Sequence, residues 1–486
     1  RQRLGNTYGN ANSKTRETGT VIENAQYTLQ GGFEQNNFTS YDATHKDKLF
    51  DYGYVGQYNT VWLPFIAPTP NGLQHVGYLS QLASYTRSEI NPILANYNND
   101  VNINGTGSNL NVLNGIFNNT TVSNVFGFSQ NVGQVYNLYR KSQNNTITGN
   151  ATVSFDLIPG GDKKNAHNIE FGFNYEQRNN KNYSINPFSL WDLAERLQNQ
   201  NLNGTALDTN VVLRDTTIGG QKIHIYAPAL NTDIAAQTDL GFYKNYRKKF
   251  GLAANSFGNV NNLTPDQMSL DLFTARELNE QRLINYNGYD YLGNPLASTV
   301  SFNDFFAAKD VNGTRTFPVA ANKPVYFAGY LQDKFRIGDL IVSAGVRIDR
   351  YDANNKVLKD PYSLYDIMTA KDFYTLIKQP KPDNIADDFK VYLTSNTVGK
   401  TNYPYSASDI RAFRQGDTWF TKNGQPQDPI QIFGSGSQPN AKYVVDTFTQ
   451  IKQIGYDPSI SFTDYKPQTN IMPRLSFSFP ISDIAN

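Results

Sequence analysis

Val325-Tyr-Phe-Ala-Gly-Tyr-Leu-Gln-Asp-Lys-Phe-Arg-Ile337, then Gly338-Asp339, then Leu340-Ile-Val-Ser-Ala-Gly-Val-Arg-Ile-Asp-Arg-Tyr351, decides the fold class. In the first run Val325, Phe327, Leu331, Phe335 and Ile337 alternate with Tyr326, Tyr330, Gln332, Lys334 and Arg336. In the second, Leu340, Val342, Ala344, Val346 and Ile348 alternate with Ser343, Gly345, Arg347 and Asp349. A period of two belongs to a strand with one apolar and one polar face, and two turn residues between such runs make an antiparallel hairpin.

The same pattern recurs outward from this hairpin. Ile147, Ala151, Val153, Phe155 and Leu157 alternate with Thr148, Asn150, Thr152, Ser154 and Asp156, and the turn cluster Pro159-Gly160-Gly161-Asp162 follows. The pattern resumes with Ile169, Phe171, Phe173 and Tyr175 opposite Asn168, Glu170, Asn174 and Glu176. Residues 21–34 (Val21, Ala25, Tyr27, Leu29, Phe33) and 48–62 (Phe50, Tyr52, Tyr54, Tyr58, Trp62) read as two earlier strands, and Ile471, Leu475, Phe477, Phe479 and Ile481 as a last one. About seven strands result.

Their connections alternate in length. Residues 35–47, 159–166 and 338–339 are short, whereas 63–132, 179–324 and 352–469 are long. Soluble sandwiches seldom alternate in this way, and structureless loops of such length are uncommon in compact domains. Outer-membrane barrels have short turns at one end and long loops at the other. The long segments carry local order of their own. Leu190, Leu193, Ala194 and Leu197 predict a helix over 188–199, Thr264-Pro265-Asp266-Gln267 reads as a helix start, and 360–377 is a third helical stretch.

Composition removes several functions. The chain has 486 residues, with 43 Lys+Arg against 42 Asp+Glu, so nothing favours neutralisation of a phosphate backbone. It has no Cys and only four His (His45, His75, His167 and His224), none at metal-ligand spacing. Aromatic residues make up 13 %, too many for a chain that never folds. No apolar run approaches the roughly 20 residues of a spanning helix, but a membrane strand needs only every second residue apolar. On such a surface Asp333 sits near the turn, where a charge costs least.

Chemical motifs are sparse. Gly399-Lys400-Thr401 ends like a phosphate loop, but Thr394 stands where the leading Gly belongs. Gly434-Ser435-Gly436-Ser437 lacks the frame of a nucleophile elbow. Glu170 and Glu176 share a strand face but lie roughly 20 Å apart at about 3.3 Å per residue, too far for a glycosidase pair. Asp349, Asp352 and Asn354 lack the Gly and distal Glu of a calcium loop. The sequons at Asn37, Asn104 and Asn262 are expected by chance among 58 Asn. The expectation is therefore a protein with no catalytic residues, no metal and no cofactor. Trp62, Trp191 and Trp419 lie in or beside the long connections, as ligand contacts or as packing between loops.

Several stretches resemble TonB-dependent outer-membrane receptors, in particular the large type with an N-terminal carboxypeptidase-regulatory-like domain. Residues 326–335 and 338–351 are similar to a barrel hairpin of those receptors, Pro473-Arg-Leu-Ser-Phe477 to a later strand, and Gly133–Asn137 and Phe171–Glu176 more weakly to others. The resemblance spans about 21–485. It implies that 1–486 is part of an all-β, antiparallel transmembrane barrel domain, incomplete against a family barrel of about 22 strands, with long extracellular loops bearing short helices. Neither a plug nor an N-terminal domain is recognisable.

The implied function is TonB-coupled uptake of a scarce nutrient (glycan, peptide or metal chelate) across the cell outer membrane. Glu170, Glu176, Arg347, Asp349 and Arg474 would then line the lumen. The implied partners are the TonB complex through the plug region, outer-membrane lipid and a surface lipoprotein, with no nucleic acid. The alternatives are a passive porin or adhesin-like barrel and a soluble glycan-binding or glycan-cleaving β-protein. An incomplete barrel also predicts that strands 21–34 and 470–481 do not pair with each other.

Overall fold

The computed structural model describes residues 2–3, 21–96, 132–394, 403–436, 438–444 and 455–479. Gly399-Lys400-Thr401, Asn104, Ser437, Ile481 and the stretch Pro480–Asp483 lie outside the described residues. The described residues are mostly β, with 46 % strand and 18 % helix, and the named strands all pair antiparallel. It divides into two compact units, one of residues 1–354 and 467–486 and one of 355–466.

The first unit is organised by one sequential meander. Its strands are β1 (Val21–Ser40), β2 (Tyr139–Ile158), β3 (His167–Ile185), β4 (Val325–Ile337), β5 (Leu340–Asp352) and β6 (Gln468–Ser478), each hydrogen-bonded to the next. Gln2–Arg3 pairs with the free edge of β1, and Ile284–Asn287 with the end of β3. Among the described residues β1 and β6 do not pair with each other, so the sheet is open and no closed barrel is present.

Register fixes the faces. Leu29 pairs with Ala151, Ala151 with Phe173, Phe171 with Leu331, Leu331 with Val346 and Val346 with Pro473. Directly opposed residues point to the same side, so these positions form one apolar face across all six strands. Of the residues expected to share this face, Val153, Phe155, Phe171, Phe173, Val342, Val346 and Phe477 lie on it, whereas Phe479 falls just beyond the end of β6 and is exposed. Much of that face is uncovered: Leu29 is 76 % exposed and Leu475 63 %, although Val342 is buried. The opposite face reads Thr28, Gln30, Thr152, Asn150, Asn174, Glu176, Arg347 and Arg474.

The turns 159–166 and 338–339 lie at one end of the sheet, because His167 pairs with both Leu157 and Phe335 and Ile337 pairs with Leu340. Gly338 takes φ +59°, which a two-residue hairpin loop favours in glycine. The connections between β1 and β2, β3 and β4, and β5 and β6 start and finish at the other end. Asp333 on the apolar face has a partner near the short turns, His167 Nδ1 at 2.7 Å.

The expected strand over 48–62 is corrected. Residues 50–53 are turns, and Gly56–Thr69 pairs with Gly72–Arg87 in a hairpin of its own rather than with β1. The expected short connection 35–47 is likewise replaced, since β1 runs on to Ser40 and leads into the long segment 41–138. Of the aromatics read there as a strand face, Phe50 and Tyr54 pack inward among loop residues, and Tyr58 is buried on the first strand of the 56–87 hairpin against Tyr85. Alternating Tyr residues serve a packed turn as well as a strand.

One core gathers many of the loop residues of the first unit. Phe50, Tyr54, Tyr183, Ile185, Leu190, Trp191, Phe242, Phe273 and Leu278 belong to it. Helix α1 (Ser189–Gln198) supplies Leu190, Leu193 and Ala194 and keeps Asp192 and Arg196 paired at 3.1 Å on its outer side. Helix α2 (Phe242–Phe250) stops at Gly251, φ +64°, with basic residues in its last turn. The start expected at Thr264 makes only a turn of 3-10 helix over Pro265–Gln267, and the α-helix, α3 (Ala275–Glu280), begins after a second capping box at Thr274. The second unit holds helix α4 (Ala370–Leu376) against the sheet of Lys390–Leu393, Ile410–Gln415, Thr418–Thr421 and Asn440–Ala441.

Candidate functional site

On the polar face of the meander the side chains of β3, β4, β5 and β6 converge. Tyr330 on β4 lies opposite Gly172 on β3 and Arg347 on β5. Its hydroxyl donates to Glu170 Oε1 at 2.8 Å. Arg347 donates through Nε to Asp349 Oδ1 at 2.7 Å and through Nη2 to the Tyr326 hydroxyl at 3.0 Å. Glu170, Asn174, Tyr330, Gln332, Arg347 and Arg474 line a groove of about 330 Å³.

Three of the five charged residues expected to share a polar path therefore meet: Glu170, Arg347 and Arg474. Asp349 belongs to the group through its ion pair with Arg347. Glu176 does not; it accepts from Arg178 Nε at 2.6 Å, two residues along its own strand. The groove thus presents acceptors and cations side by side above a floor that includes Gly345. Such a surface hydrogen-bonds polar ligands or another polar segment of protein. Tyr326 and Tyr330 are visible in the sequence as the polar-face partners of Phe327 and Leu331, but only register shows that they bridge charges from neighbouring strands.

The three tryptophans part company. Trp191 is only 2 % exposed, and its indole N–H donates to the Phe50 carbonyl at 2.9 Å. Of the two roles expected for it, this is packing: the ring holds α1 against the turn that carries Phe50. Trp419, in the second unit, packs on Tyr392 and Phe433 at ring separations of 4.6 and 5.2 Å. Trp62 stacks on Phe257 at 4.0 Å and lines a cavity of about 280 Å³ bounded by the 56–87 hairpin, α1 and the 259–261 segment.

That cavity holds residues that periodicity does not single out. Glu195 Oε1 accepts from Asn261 Nδ2 at 3.3 Å, and burial pushes the Glu195 carboxyl up to about 7. The clue in the sequence is a Glu next to the apolar stripe of a helix, between Ala194 and Leu197. A second buried carboxylate, Glu277, is structural. It accepts from the backbone N–H of Thr274, Gly241 and Phe242, fastening the start of α3 to that of α2. Thr274-Ala-Arg-Glu277 has the spacing of a capping box.

No protein-family profile, curated protein or solved structure matches this chain.

Proposed function

We propose that the meander is part of the wall of an outer-membrane β-barrel, and that the protein is a TonB-coupled transporter for a scarce nutrient. The observation that carries this reading is the uncovered apolar face running across all six strands. A soluble protein with that much contiguous apolar surface would self-associate, whereas acyl chains cover it readily. The alternating face spans Ile147 to Leu157 on β2, close to the roughly 10 residues of a membrane strand.

Two further features support it. Strands β1, β2 and β3 continue past the apolar band into ladders of amide side chains, such as Asn36–Asn144 and Asn144–Asn180. Long connections rise from that end, and the turns at the opposite end are short. An open sheet also leaves backbone N–H and C=O groups at its edge, which a membrane does not tolerate, so further strands would complete the wall. The groove at Glu170, Arg347 and Arg474 would face the lumen.

The test is fractionation of native envelopes followed by protease treatment of intact cells. The protein should sediment with outer membranes and be cut within 355–466 but not at 160–161 or 338. Recovery in the soluble fraction would overturn the reading. A steady open conductance of the purified protein in planar bilayers would favour the passive pore over the coupled transporter.

A further inference from the structure

We propose that the cavity between the 56–87 hairpin, α1 and the 259–261 segment is a binding site for a protonated amine or guanidinium on a short apolar stem, received by Glu195 and Asn261. This holds whether or not the meander crosses a membrane, since none of the residues lining the cavity belongs to the six strands of the meander.

Hydrogen bonding in the cavity is incomplete. Asn261 is only 3 % exposed, and its amide nitrogen donates to Glu195 Oε1. That leaves Asn261 Oδ1 and Glu195 Oε2 buried without a donor among the described residues. Leaving such groups unpaired costs about 1–3 kcal/mol each, and more for a charge. Several neighbouring donors are directed elsewhere. Arg196 Nε is held by Asp192 at 3.1 Å and its Nη2 by Gln281 at 3.2 Å. Thr60 Oγ1 donates to Asn259 Oδ1 at 2.9 Å, and the Val260 N–H donates to Gln198 Oε1 at 2.8 Å.

The two buried atoms left without a partner are both acceptors. An ammonium carries three N–H donors and a guanidinium five, so either serves both oxygens and supplies the charge that Glu195 lacks. Trp62, backed by Phe257, offers an apolar wall for the stem and a π-face for the cation. The charged groups around the cavity are Asp192, Glu195 and Arg196, all from α1. The hairpin contributes Thr60, Trp62 and Ser80 and the third wall Asn259 and Asn261, none of which titrates. With Glu195 ionised the lining carries one net negative charge.

The experiment is a titration of the whole chain with n-butylammonium, followed through the indole N–H resonances. The chain has three tryptophans, and Trp62→Phe assigns the relevant signal. The Trp62 signal should shift saturably with n-butylammonium and stay unmoved by 1-butanol or n-butyltrimethylammonium, which lack the charge or the N–H donors. Binding should be about tenfold weaker at pH 6 than at pH 8, because the carboxyl must lose a proton held to about pH 7. Glu195→Gln should abolish the shift. An equal response to 1-butanol, no response to any probe (a cavity that holds only water), or affinity unchanged by pH would each overturn the proposal. Should Glu195→Gln fail to fold, the pH profile and the trimethyl control decide alone.

Discussion

The ring of Tyr330 occupies the space that Gly172 leaves empty: a Cβ on Gly172 would stand 2.8 Å from Tyr330 Cε1 and 2.7 Å from the Ala151 carbonyl. From there the Tyr330 hydroxyl reaches Glu170 across the strand pair at 2.8 Å. The glycine thus lets an aromatic ring lie close enough to the ladder to tie β4 to a carboxylate on β3, and the groove depends on it. Gly172→Ala should displace the ring, break the bond to Glu170 and cost about 1–3 kcal/mol. Gly149→Ala is the control, since its Cβ would meet only Tyr175 Cβ at 3.9 Å, and it should change the urea midpoint little.

His167 Nδ1 and Asp333 Oδ2 meet at 2.7 Å on the apolar face, a hydrogen-bonding contact that joins β3 to β4 at the end nearest the short turns. Asp333 Oδ1 has no partner among the described residues, so the carboxylate leans on the histidine. His167→Ala alone should destabilise by about 1–2 kcal/mol, and Asp333→Ala together with His167→Ala by less than the sum of the two. A double-mutant cycle on unfolding midpoints measures the coupling; strict additivity would show that the two side chains do not support each other.

Glu195 should make stability depend on pH with a definite sign. Its carboxyl rises from the usual 4.5 to about 7 on folding, so the folded chain holds that proton more tightly than the unfolded one. The contribution is complete below pH 4.5 and is lost as pH rises through 7. Glu195→Gln should therefore match the wild type near pH 4 and exceed it by about 2–3 kcal/mol at pH 8. Urea unfolding of both proteins at the two pH values checks it.

In the second unit Arg414 is buried and donates to the Tyr392 hydroxyl at 2.9 Å, the Gly416 carbonyl at 2.8 Å and Asp360 Oδ2 at 2.5 Å. Arg414→Ala strands the Asp360 carboxylate and should cost about 3–5 kcal/mol. Hydrogen exchange at the amides of Val391 and Phe413 should accelerate accordingly, while exchange in the meander stays as it was.

The strands of the meander are legible because each has a polar face and an apolar one, and a period of two survives in the sequence wherever the two faces meet different surroundings. Tyr52, Tyr54 and Tyr58 mislead for the same reason. They alternate and are all buried, but Tyr52 and Tyr54 lie in and just after a packed turn, Tyr54 in a core containing Trp191 and Phe273, while Tyr58 belongs to the separate 56–87 hairpin, and no local pattern distinguishes these settings. The groove is half legible. Glu170, Arg347 and Arg474 announce themselves as charges on a polar face, but Tyr330 joins them only through a register that brings Gly172 opposite it. Glu195 and Asn261 stay hidden because they come from segments 66 residues apart that meet only once the loops fold.

If the meander is a membrane wall, the face bearing Phe173 and Leu331 lies against acyl chains. The chain contains no cysteine, so single cysteines report without background. A polarity-sensitive fluorophore placed at Phe173→Cys or Leu331→Cys, in the membrane-embedded protein, should be quenched by lipids brominated in their acyl chains and spared by aqueous iodide. At Asn150→Cys and Thr152→Cys, on the opposite face, iodide should quench and brominated lipid should not. Quenching of the Leu331 position by iodide, or its protection from both quenchers as between two packed sheets, would contradict the membrane placement.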